Sequence, residues 1–583
     1  MNALNSPCTA ECLEIARKAL DEFNSFYSVF KKIPEQAKQA FEQRDHAQSL
    51  RLSNQRLQLY SVSIREFSDL VQRNYSELAS DESRWEQVEE GYQSMVVGDY
   101  SADLAMAYLH SIRRKIYQGE WRVADYAIYR NKYETDQGVA EQLNGHSIEQ
   151  ALDINTVAEI LVQENFSVDY EDIERDAGLI VERARRNLDL DRRLGEGPMR
   201  LEMFKAGFYR NRGAYLVGRV SFNNQKYRPF IIALLNGDNG LYVDALITSS
   251  TYAHNMFSST LANFHVTNAH YHELCRFLRS VMPMRPLGLH YSTIGYNHLG
   301  KVAVMNELVG ERMALDQIME TAPGTPGTVA MGFCMPDSAY VLKVIRDTPT
   351  SGYKWGKFDG VQSVLRKYTK VHEINRTDSM LDSMLFYNLR LDADWFTPEL
   401  KDQLLEHARE SVHLDGDGLV FKYLIVQRKL TPLPVYLQNA TQKQAETAMI
   451  NLGYCIKNNA AGNIFNRDLD ARNYGVTSYL KIYLFDYDAL EELTDVKVRT
   501  NTDRIEGEED VPEWYFEDGV VFLPEELTTG LCLPHRDLRK LFSSEHWLLH
   551  TTGYWESIQG DLQEGKVPSV AVYPDTEKLR MEQ

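Results

Sequence analysis

The sequence has no excess of positive charge, no long apolar run and no paired cysteines, and each absence closes off a class of function. Its 583 residues carry 63 lysines and arginines against 83 acidic residues, a formal net charge of -20. The basic footprint that a phosphate backbone demands is missing, so nucleic acid is not expected as a partner. No stretch of 18 apolar residues is present, and the beginning of the chain, MNALNSPCTAECLEIARKAL, lacks a basic segment followed by an apolar one. No membrane segment is therefore expected, and the chain reads as soluble and cytoplasmic. Six cysteines (Cys8, Cys12, Cys275, Cys334, Cys455, Cys532) form no C-x-x-C pair, which argues against a disulfide framework. His272 before Cys275 and His535 after Cys532 make two isolated pairs, short of the four ligands of a structural zinc site. Cys8 and Cys12 share a helix face by their spacing. No cysteine stands in a C-x5-R arrangement, so a cysteine-nucleophile phosphatase is not supported.

What the chain does have is apolar material for more than one core. With 583 residues and 43% hydrophobic content, two or more folded domains are expected. From about Thr9 to Leu194 the sequence is charged and helical in period, as in CLEIARKALDEFNSFYSVFKKI and TVAEILVQENF, and this region is expected to be helical. Around Phe208 the texture changes. GAYLVGRVSF, YRPFIIALL and GLYVDALI are apolar, β-branched runs separated by NNQK and NGDNG, the pattern of a small antiparallel meander. Helical texture returns over Tyr271 to Val281 and Tyr296 to Met319, and leads into a glycine-rich segment, Ala322-Pro-Gly-Thr-Pro-Gly-Thr328. The main boundary is placed near Gln317, giving domains of residues 1–316 and 317–583. The acidic run from Arg504 to Trp514 reads as a solvated loop.

The second half carries residues suited to phosphoryl transfer, which requires a held triphosphate, fixed metal ions and an acceptor hydroxyl in line. Gly324, Gly327 and Gly332 in APGTPGTVAMGF would let backbone approach phosphates. The segment is neither a Walker A loop nor a G-x-G-x-x-G, and alone it is an ordinary turn. Sixteen residues after Gly327, Lys343 stands inside the apolar run Tyr340-Val-Leu-Lys-Val-Ile345, where an ammonium would meet the α- and β-phosphates; the plain alternative is a strand lysine reaching for water. Arg467-Asp468-Leu-Asp-Ala-Arg-Asn473 then reads as an R-D-L-x-x-x-N catalytic loop, with Asn466 in place of the usual histidine. Asp468 would orient the acceptor proton, and Asn473 would return across the loop to a magnesium ion. Eighteen residues past Asp468 comes Asp486, in Tyr483-Leu-Phe-Asp486-Tyr-Asp488, hard oxygen ligands suited to magnesium or manganese. Each motif singly has a structural reading as a turn or a strand end. Their order is that of a protein kinase, which no single motif conveys. His535-Arg-Asp-Leu538 matches H-R-D-L by letter, but it follows the D-Y-D segment and has Phe542 five residues beyond Asp537, so it reads as a helix start.

These segments together resemble one family. The combination of A-P-G-x-x-G, Leu342-Lys-Val-Ile-Arg346, Asn463-Ile-Phe-x-x-Asp468, Arg472-Asn-Tyr-Gly-Val-Thr477 and the strand ending D-Y-D is similar to the bacterial isocitrate dehydrogenase kinase/phosphatases. Phe208-Tyr-Arg-Asn211 with GAYLVGRV, and Glu513-Trp-Tyr515 followed by Val521-Phe-Leu-Pro-Glu-Glu526, resemble it as well. The resemblance implies an α+β chain, with a mainly helical N-terminal regulatory domain containing the small antiparallel sheet, followed by a bilobal protein-kinase-like domain. It implies a bifunctional enzyme that phosphorylates a serine of NADP-dependent isocitrate dehydrogenase and removes that phosphate at one nucleotide site, switching carbon between the citric acid cycle and the glyoxylate bypass. The implied cofactors are ATP with Mg2+ or Mn2+, and AMP and ADP are implied effectors. Carried over by motif, the ATP loop is Ala322, Pro323, Gly324, Thr325, Pro326, Gly327 and Thr328, with Lys343 as the ATP lysine. Asp468 and Asp486 take catalytic roles, and Asn473 and Asp486 hold metal. The family's phosphatase aspartate, in R-M-A-D-T, is matched by Asp378 in His372-Glu-Ile-Asn-Arg376-Thr-Asp378, with Asp382 one helical turn further on.

Departures bear on mechanism. Arg472 stands where relatives carry lysine, a fork-shaped donor in place of a point charge. Between Lys343 and Asp382 the only glutamate is Glu373, which leaves the usual lysine–glutamate pair open. Three other readings compete: a small-molecule phosphotransferase of the aminoglycoside-kinase type, which would leave the first 300 residues without a role; a haloacid-dehalogenase-like phosphatase suggested by Asp486-Tyr-Asp488, although Leu490 departs from that motif; and a nucleotide-binding pseudokinase scaffold, which has no chemical need for the full set Lys343, Asp468, Asn473 and Asp486.

Overall fold

The structure is a computed structural model that describes residues 10–119, 136–149, 151–194, 197–222, 226–257, 264–324, 327–353, 358–374, 379–500 and 519–580. The N-terminal half begins with helices Ala10–Phe30, Ile33–Glu42 and His46–Asn74, joined by Trp85–Val96 and Ala102–Tyr117. In the first of these, Phe23, Phe26, Tyr27 and Phe30 recur at helical spacing and are all buried, so one face is aromatic and must find a partner. It finds Tyr60 and Tyr108: the Phe26 and Tyr60 rings meet edge-on at 5.5 Å, and Tyr60 meets Tyr108 at 5.6 Å. The phenols are satisfied inside the core, Tyr60 donating to the Ala107 carbonyl at 3.0 Å and Tyr108 bonding the Ser63 hydroxyl, as buried polar groups must be.

The sheet of this half is antiparallel in the order β1 (Leu143–Ile148), β2 (Met199–Arg210), β3 (Gly213–Phe222), β4 (Arg228–Gly237) and β5 (Gly240–Ile247), with β6 (His265–Val266) on the other side of β2. The expected meander is present in β3, β4 and β5. Two expectations are corrected. The meander starts at Met199 rather than near Phe208, and Leu143–Ile148 is a strand inside the region read as helical. LNGHSI offers only Leu143 and Ile148 as buried residues, too little alternation to signal a strand; its backbone pairing with β2 is what makes it one. Helices Tyr271–Val281, Leu287–Thr293 and Asn297–Leu315 complete the half, the last ending at Asp316 in a left-handed conformation, φ 49°.

The C-terminal half has two lobes. The first is a sheet of β7 (Glu320–Thr321), β8 (Ala330–Cys334), β9 (Tyr340–Ile345), β10 (Ser383–Asp392), β11 (Val412–Asp415) and β12 (Gly418–Arg428), in the order β10-β12-β9-β8-β7 with β11 on β12. Lys343 is paired with Ile425 on one side and Gly332 on the other. The second lobe is built around helix Gln442–Ala461, opened by a capping box in which Thr441 and Gln444 satisfy each other's backbone N–H. Small antiparallel pairings lie against it: β13 (Thr431–Pro432) with β15 (Tyr474–Val476) and β16 (Ile482–Leu484), and β14 (Ile464–Asn466) with β17 (Leu490–Glu492). Helix Arg536–Glu545 starts directly after His535, as read from the sequence. The acidic run Arg504 to Trp514 lies outside the described residues.

The end of the chain runs back to the first half. Asn458 brackets Ala571, its Nδ2 donating to the Ala571 carbonyl at 3.0 Å and its Oδ1 accepting from the Ala571 amide at 2.9 Å. Further on, Arg580 pairs with Glu171 at 2.8 Å and with the buried Asp176 at 2.7 Å, while Val572, Tyr573 and Leu579 join the N-terminal cores.

A close approach inside the second lobe gives a test. Gly453 lies on the central helix under the buried His546 ring, whose Nε2 donates to the Ile450 carbonyl at 3.0 Å, and a Cβ on residue 453 would occupy the ring's position. Gly453→Ala should gain about 1 kcal/mol of helix propensity, yet lose about 1–3 kcal/mol by overpacking. The expected outcome is a lower thermal midpoint, read by calorimetry; a raised midpoint would show that the ring moves freely.

Candidate active site

The site lies where the two lobes of the C-terminal half meet, and the peptide of Phe485 is its centre. Lys343 is carried on β9 with apolar neighbours on both sides, and only 7% of its surface is exposed. An ammonium so buried must find an acceptor. Its Nζ donates to the Phe485 carbonyl at 3.0 Å and sits 4.7 Å from the Phe485 ring centre. Gln427 on β12 donates to the same carbonyl at 3.3 Å and to the Ser383 hydroxyl at 3.1 Å. The Phe485 amide donates to the Asn473 carbonyl at 3.1 Å. The backbone of one residue thus links the first lobe, the Asp468 loop and the segment that carries Asp486.

The loop from Asn466 to Asn473 is held by its own amides. Asn466 Oδ1 accepts the Asp468 amide at 3.1 Å, and Asn473 Nδ2 donates to the Asp468 carbonyl at 2.9 Å, so the two asparagines fix Asp468 from both sides. Asn466, at the position where histidine is usual, serves here as a turn former. Asp470 caps the 3-10 turn Ala471–Asn473 by accepting the Arg472 amide at 2.8 Å, and it pairs with the Arg472 guanidinium at 2.8 Å. The Ala471 amide donates to the Leu531 carbonyl at 3.1 Å.

Asp486 and Asp488 are half-buried on either side of the buried Tyr487, whose hydroxyl donates to the Leu381 carbonyl at 2.6 Å. Burial, with the Asp486 and Asp468 carboxylates nearby, pushes the Asp488 carboxyl up to about 7, against the pull of Lys367 and Lys343. Burial lowers the proton affinity of Lys343, and Asp486 and Asp488 oppose that shift. Three carboxylates therefore share one electrostatic site with two lysines. Among the described residues no three acids, histidines or cysteines are arranged as a metal cage; the oxygen donors on offer are carboxylates and the amide of Asn473.

The glycine-rich segment joins β7 to β8. The Ala322 amide donates to the Gly332 carbonyl at 2.9 Å; Pro323 and Gly324 are exposed. Gly324 has φ +119°, and a Cβ on residue 327 would lie 2.5 Å from the Ala330 carbonyl oxygen, so glycine is required at both. Thr328 accepts the Thr350 amide at 2.9 Å. Thr325, Pro326 and Asp378 lie outside the described residues, as does the side chain of Glu373. Among the described residues no carboxylate pairs with Lys343 within ion-pair range; the Phe485 carbonyl takes that place.

Lys343, Asp468, Asn473, Asp486 and Asp488 are brought together as their order suggests. Two contributors went unseen in the sequence. Lys367, on helix Val361–Ile374, donates to the Asp488 carbonyl at 2.7 Å, and Gln427 sits in an apolar strand; neither belongs to a motif. Asp382 is enclosed and pairs with Arg285 at 2.9 Å.

Comparison with known proteins gives matches along the chain. Residues 16–313 match the family model described as isocitrate dehydrogenase kinase/phosphatase (AceK), regulatory domain, and residues 317–575 match that of the kinase domain. A protein of Rhodopseudomonas palustris (strain TIE-1) named isocitrate dehydrogenase kinase/phosphatase is 45% identical over 572 residues, covering 97% of this chain and 92% of the relative. One from Pseudoalteromonas translucida (strain TAC 125), named isocitrate dehydrogenase kinase/phosphatase 2, is 29% identical over 577 residues, 97% and 98% of the two chains. A third, from Anaeromyxobacter sp. (strain Fw109-5) and named isocitrate dehydrogenase kinase/phosphatase, is 29% identical over 584 residues, 96% of each.

The raised Asp488 carboxyl has a consequence for stability. Its ordinary value is 3.8 and its folded value about 7, so between these the folded chain holds a proton that the unfolded chain has released. Stability is then lost as pH rises through that window. In EDTA, the thermal midpoint of wild type should fall from pH 5 to 7 more steeply than that of Asp488→Asn; parallel curves would show that Asp488 is already ionised at pH 5.

Proposed function

Because this chain belongs to the isocitrate dehydrogenase kinase/phosphatase family, we propose that it transfers phosphate from ATP to a serine of NADP-dependent isocitrate dehydrogenase and also removes it, setting flux between the citric acid cycle and the glyoxylate bypass. The chain is a kinase and phosphatase enzyme, and the observation that carries the reading of its site is the meeting of Lys343, Asp468, Asn473 and Asp486 around Phe485.

In this reading Lys343 is the phosphate ligand. The bond to Phe485 orients its ammonium at the seam between lobes, and Asp486 and Asp488 favour the charged form that burial disfavours. Ala322 to Thr328 cover the triphosphate. Asp468 accepts the proton of the serine hydroxyl, and its backbone, pinned by Asn466 and Asn473, holds the carboxylate in place before substrate arrives. The donor chemistry fits a divalent cation: Asn473 spends its amide nitrogen on the Asp468 carbonyl, which leaves its amide oxygen as a hard donor to add to the carboxylates of Asp486 and Asp488. Magnesium or manganese, when bound, would neutralise charge on the transferred phosphoryl group. The phosphatase reaction is assigned to Asp378 on the family motif; AMP, bound by the N-terminal half together with the kinase-like half, biases the two activities, and ADP is a further effector. The small-molecule kinase and scaffold readings are not favoured, since the likeness runs through both halves of the chain.

The test is incubation with magnesium, labelled ATP and isocitrate dehydrogenase, followed by a chase with ADP and AMP. Wild type should place label on a dehydrogenase serine and lose it on the chase. Asp468→Ala and Asp486→Ala should lower kcat by about 100-fold or more while keeping the wild-type thermal midpoint within a few degrees. Absence of label with wild type, although ATP binds, would overturn the proposal.

A further inference from the structure

The helix that follows the lysine strand is tied to the acid segment by lysines. In protein kinases the strand lysine pairs with a glutamate on that helix. Here the helix between β9 and β10 is Val361–Ile374, and its described side chains include no acid; the charges among them are Arg366, Lys367 and Lys370. Val364, Leu365, Tyr368 and Val371 are buried and fix one face of the helix in the core that also holds Ile464, Phe465 and Leu484. Lys367, half-buried at the edge of that face, reaches out of it to the candidate site.

Its Nζ donates to the Asp488 carbonyl at 2.7 Å. Three residues earlier, the Phe485 carbonyl accepts Lys343 from β9 at 3.0 Å. The segment that presents Asp486 and Asp488 is thus held at both ends by ammonium groups, one from the strand and one from the helix. Two further contacts of the helix follow the same segment: the Tyr368 ring meets the Tyr487 ring at 4.8 Å, and Lys370 pairs with Glu492. On its other side the segment leans on the Asp468 loop. The Arg467 amide donates to the Ala489 carbonyl at 3.0 Å, and Leu490–Glu492 pairs with Ile464–Asn466.

We propose that Lys367 is a positioning residue for metal binding: by holding the Asp488 carbonyl it ties helix Val361–Ile374 to the acid segment, so that the place of the helix sets whether the carboxylates of Asp486 and Asp488 converge on a divalent cation. This inference deepens the proposed function and rests on it for its activity readout, but not for its metal and exchange readouts. A lysine here has one other role, purely electrostatic, and that role has the opposite sign. An ammonium beside Asp486 and Asp488 repels a divalent cation, so its loss as a charge alone would tighten metal binding. Loss of a group that orients metal ligands weakens binding, by about 10–100-fold for outer partners in general.

The experiment uses the full-length protein and Mn2+ alone as probe, its affinity read by electron paramagnetic resonance of the free ion, with Asp486→Ala marking the binding that belongs to this site. Hydrogen exchange is read at the Arg467 amide, with the β3–β4 amides as reference, beside kcat and KM for transfer to isocitrate dehydrogenase. Lys367→Met should weaken Mn2+ binding about tenfold, and should speed exchange at Arg467 by about tenfold while leaving the reference amides unchanged. Its kcat should fall about tenfold with KM for the dehydrogenase within about twofold. Lys367→Arg, which keeps both charge and donor, should bring each quantity back to within about threefold of wild type. If Lys367→Met fails to fold, Lys367→Ala decides, since it removes the same donor without burying a new apolar end. Mn2+ binding that is unchanged or tighter in the folded variant would overturn the proposal, and so would faster exchange spread evenly over Arg467 and the reference amides. Wild type without Asp486-dependent Mn2+ binding would overturn it as well. If wild type transfers no phosphate at all, the functional proposal fails, and Mn2+ affinity and exchange still decide this one.

Discussion

The carbonyl of Phe485 accepts Lys343 from one lobe and Gln427 from the neighbouring strand, while its amide is spent on Asn473. Each residue's backbone has one N–H donor and one carbonyl acceptor, and at Phe485 both are committed to other elements of the site. If Phe485 shifted, Lys343 would be left as an unpaired ammonium in a site 7% exposed, at a cost of several kcal/mol. The position of Lys343 relative to Asp468 and Asp486 is therefore not free to vary. The geometry of the candidate site follows from this one constraint, because the segment after β16 that supplies Phe485 also supplies the two acids.

The same arrangement concentrates negative charge. Burial, with the Asp486 and Asp468 carboxylates beside it, pushes the Asp488 carboxyl up to about 7, and Lys343 and Lys367 offset only part of this. A fold optimised for stability alone would not place three carboxylates together. Their presence is a ground-state cost carried for a ligand that brings positive charge, and the hydrogen bonds on the Asn466 to Asn473 loop keep the acids from swinging apart to relieve it. Electrostatic strain and backbone rigidity are in this way two halves of one device.

How much of this was legible in the sequence depended on whether the physics was local. The aromatic face of Ala10–Phe30 follows from helical spacing, the β3 to β5 meander from β-branched runs between turn residues, and the Asp468 loop from residues five apart that close one turn. The family resemblance carried further than local pattern, naming both domains and the activity before any coordinates. What stayed hidden was non-local. Leu143–Ile148 is a strand because β2 pairs with it, not because LNGHSI alternates. Gln427 looks like one polar residue in an apolar strand, and Lys367 like an exposed helix charge, until Phe485 and Asp488 are brought to them. Arg285 and Asp382, 97 residues apart, carry no spacing signal at all.

Those two residues belong to a seam of unusual chemistry. The halves are joined by an enclosed ion pair, by Arg428 reaching the Met284 carbonyl, and by Arg580 reaching Asp176 in the far half. Apolar seams tolerate small slides, since burial is non-directional; charge-assisted and bidentate hydrogen bonds do not, since they weaken steeply with misalignment. A seam built this way permits a few discrete placements rather than a continuum.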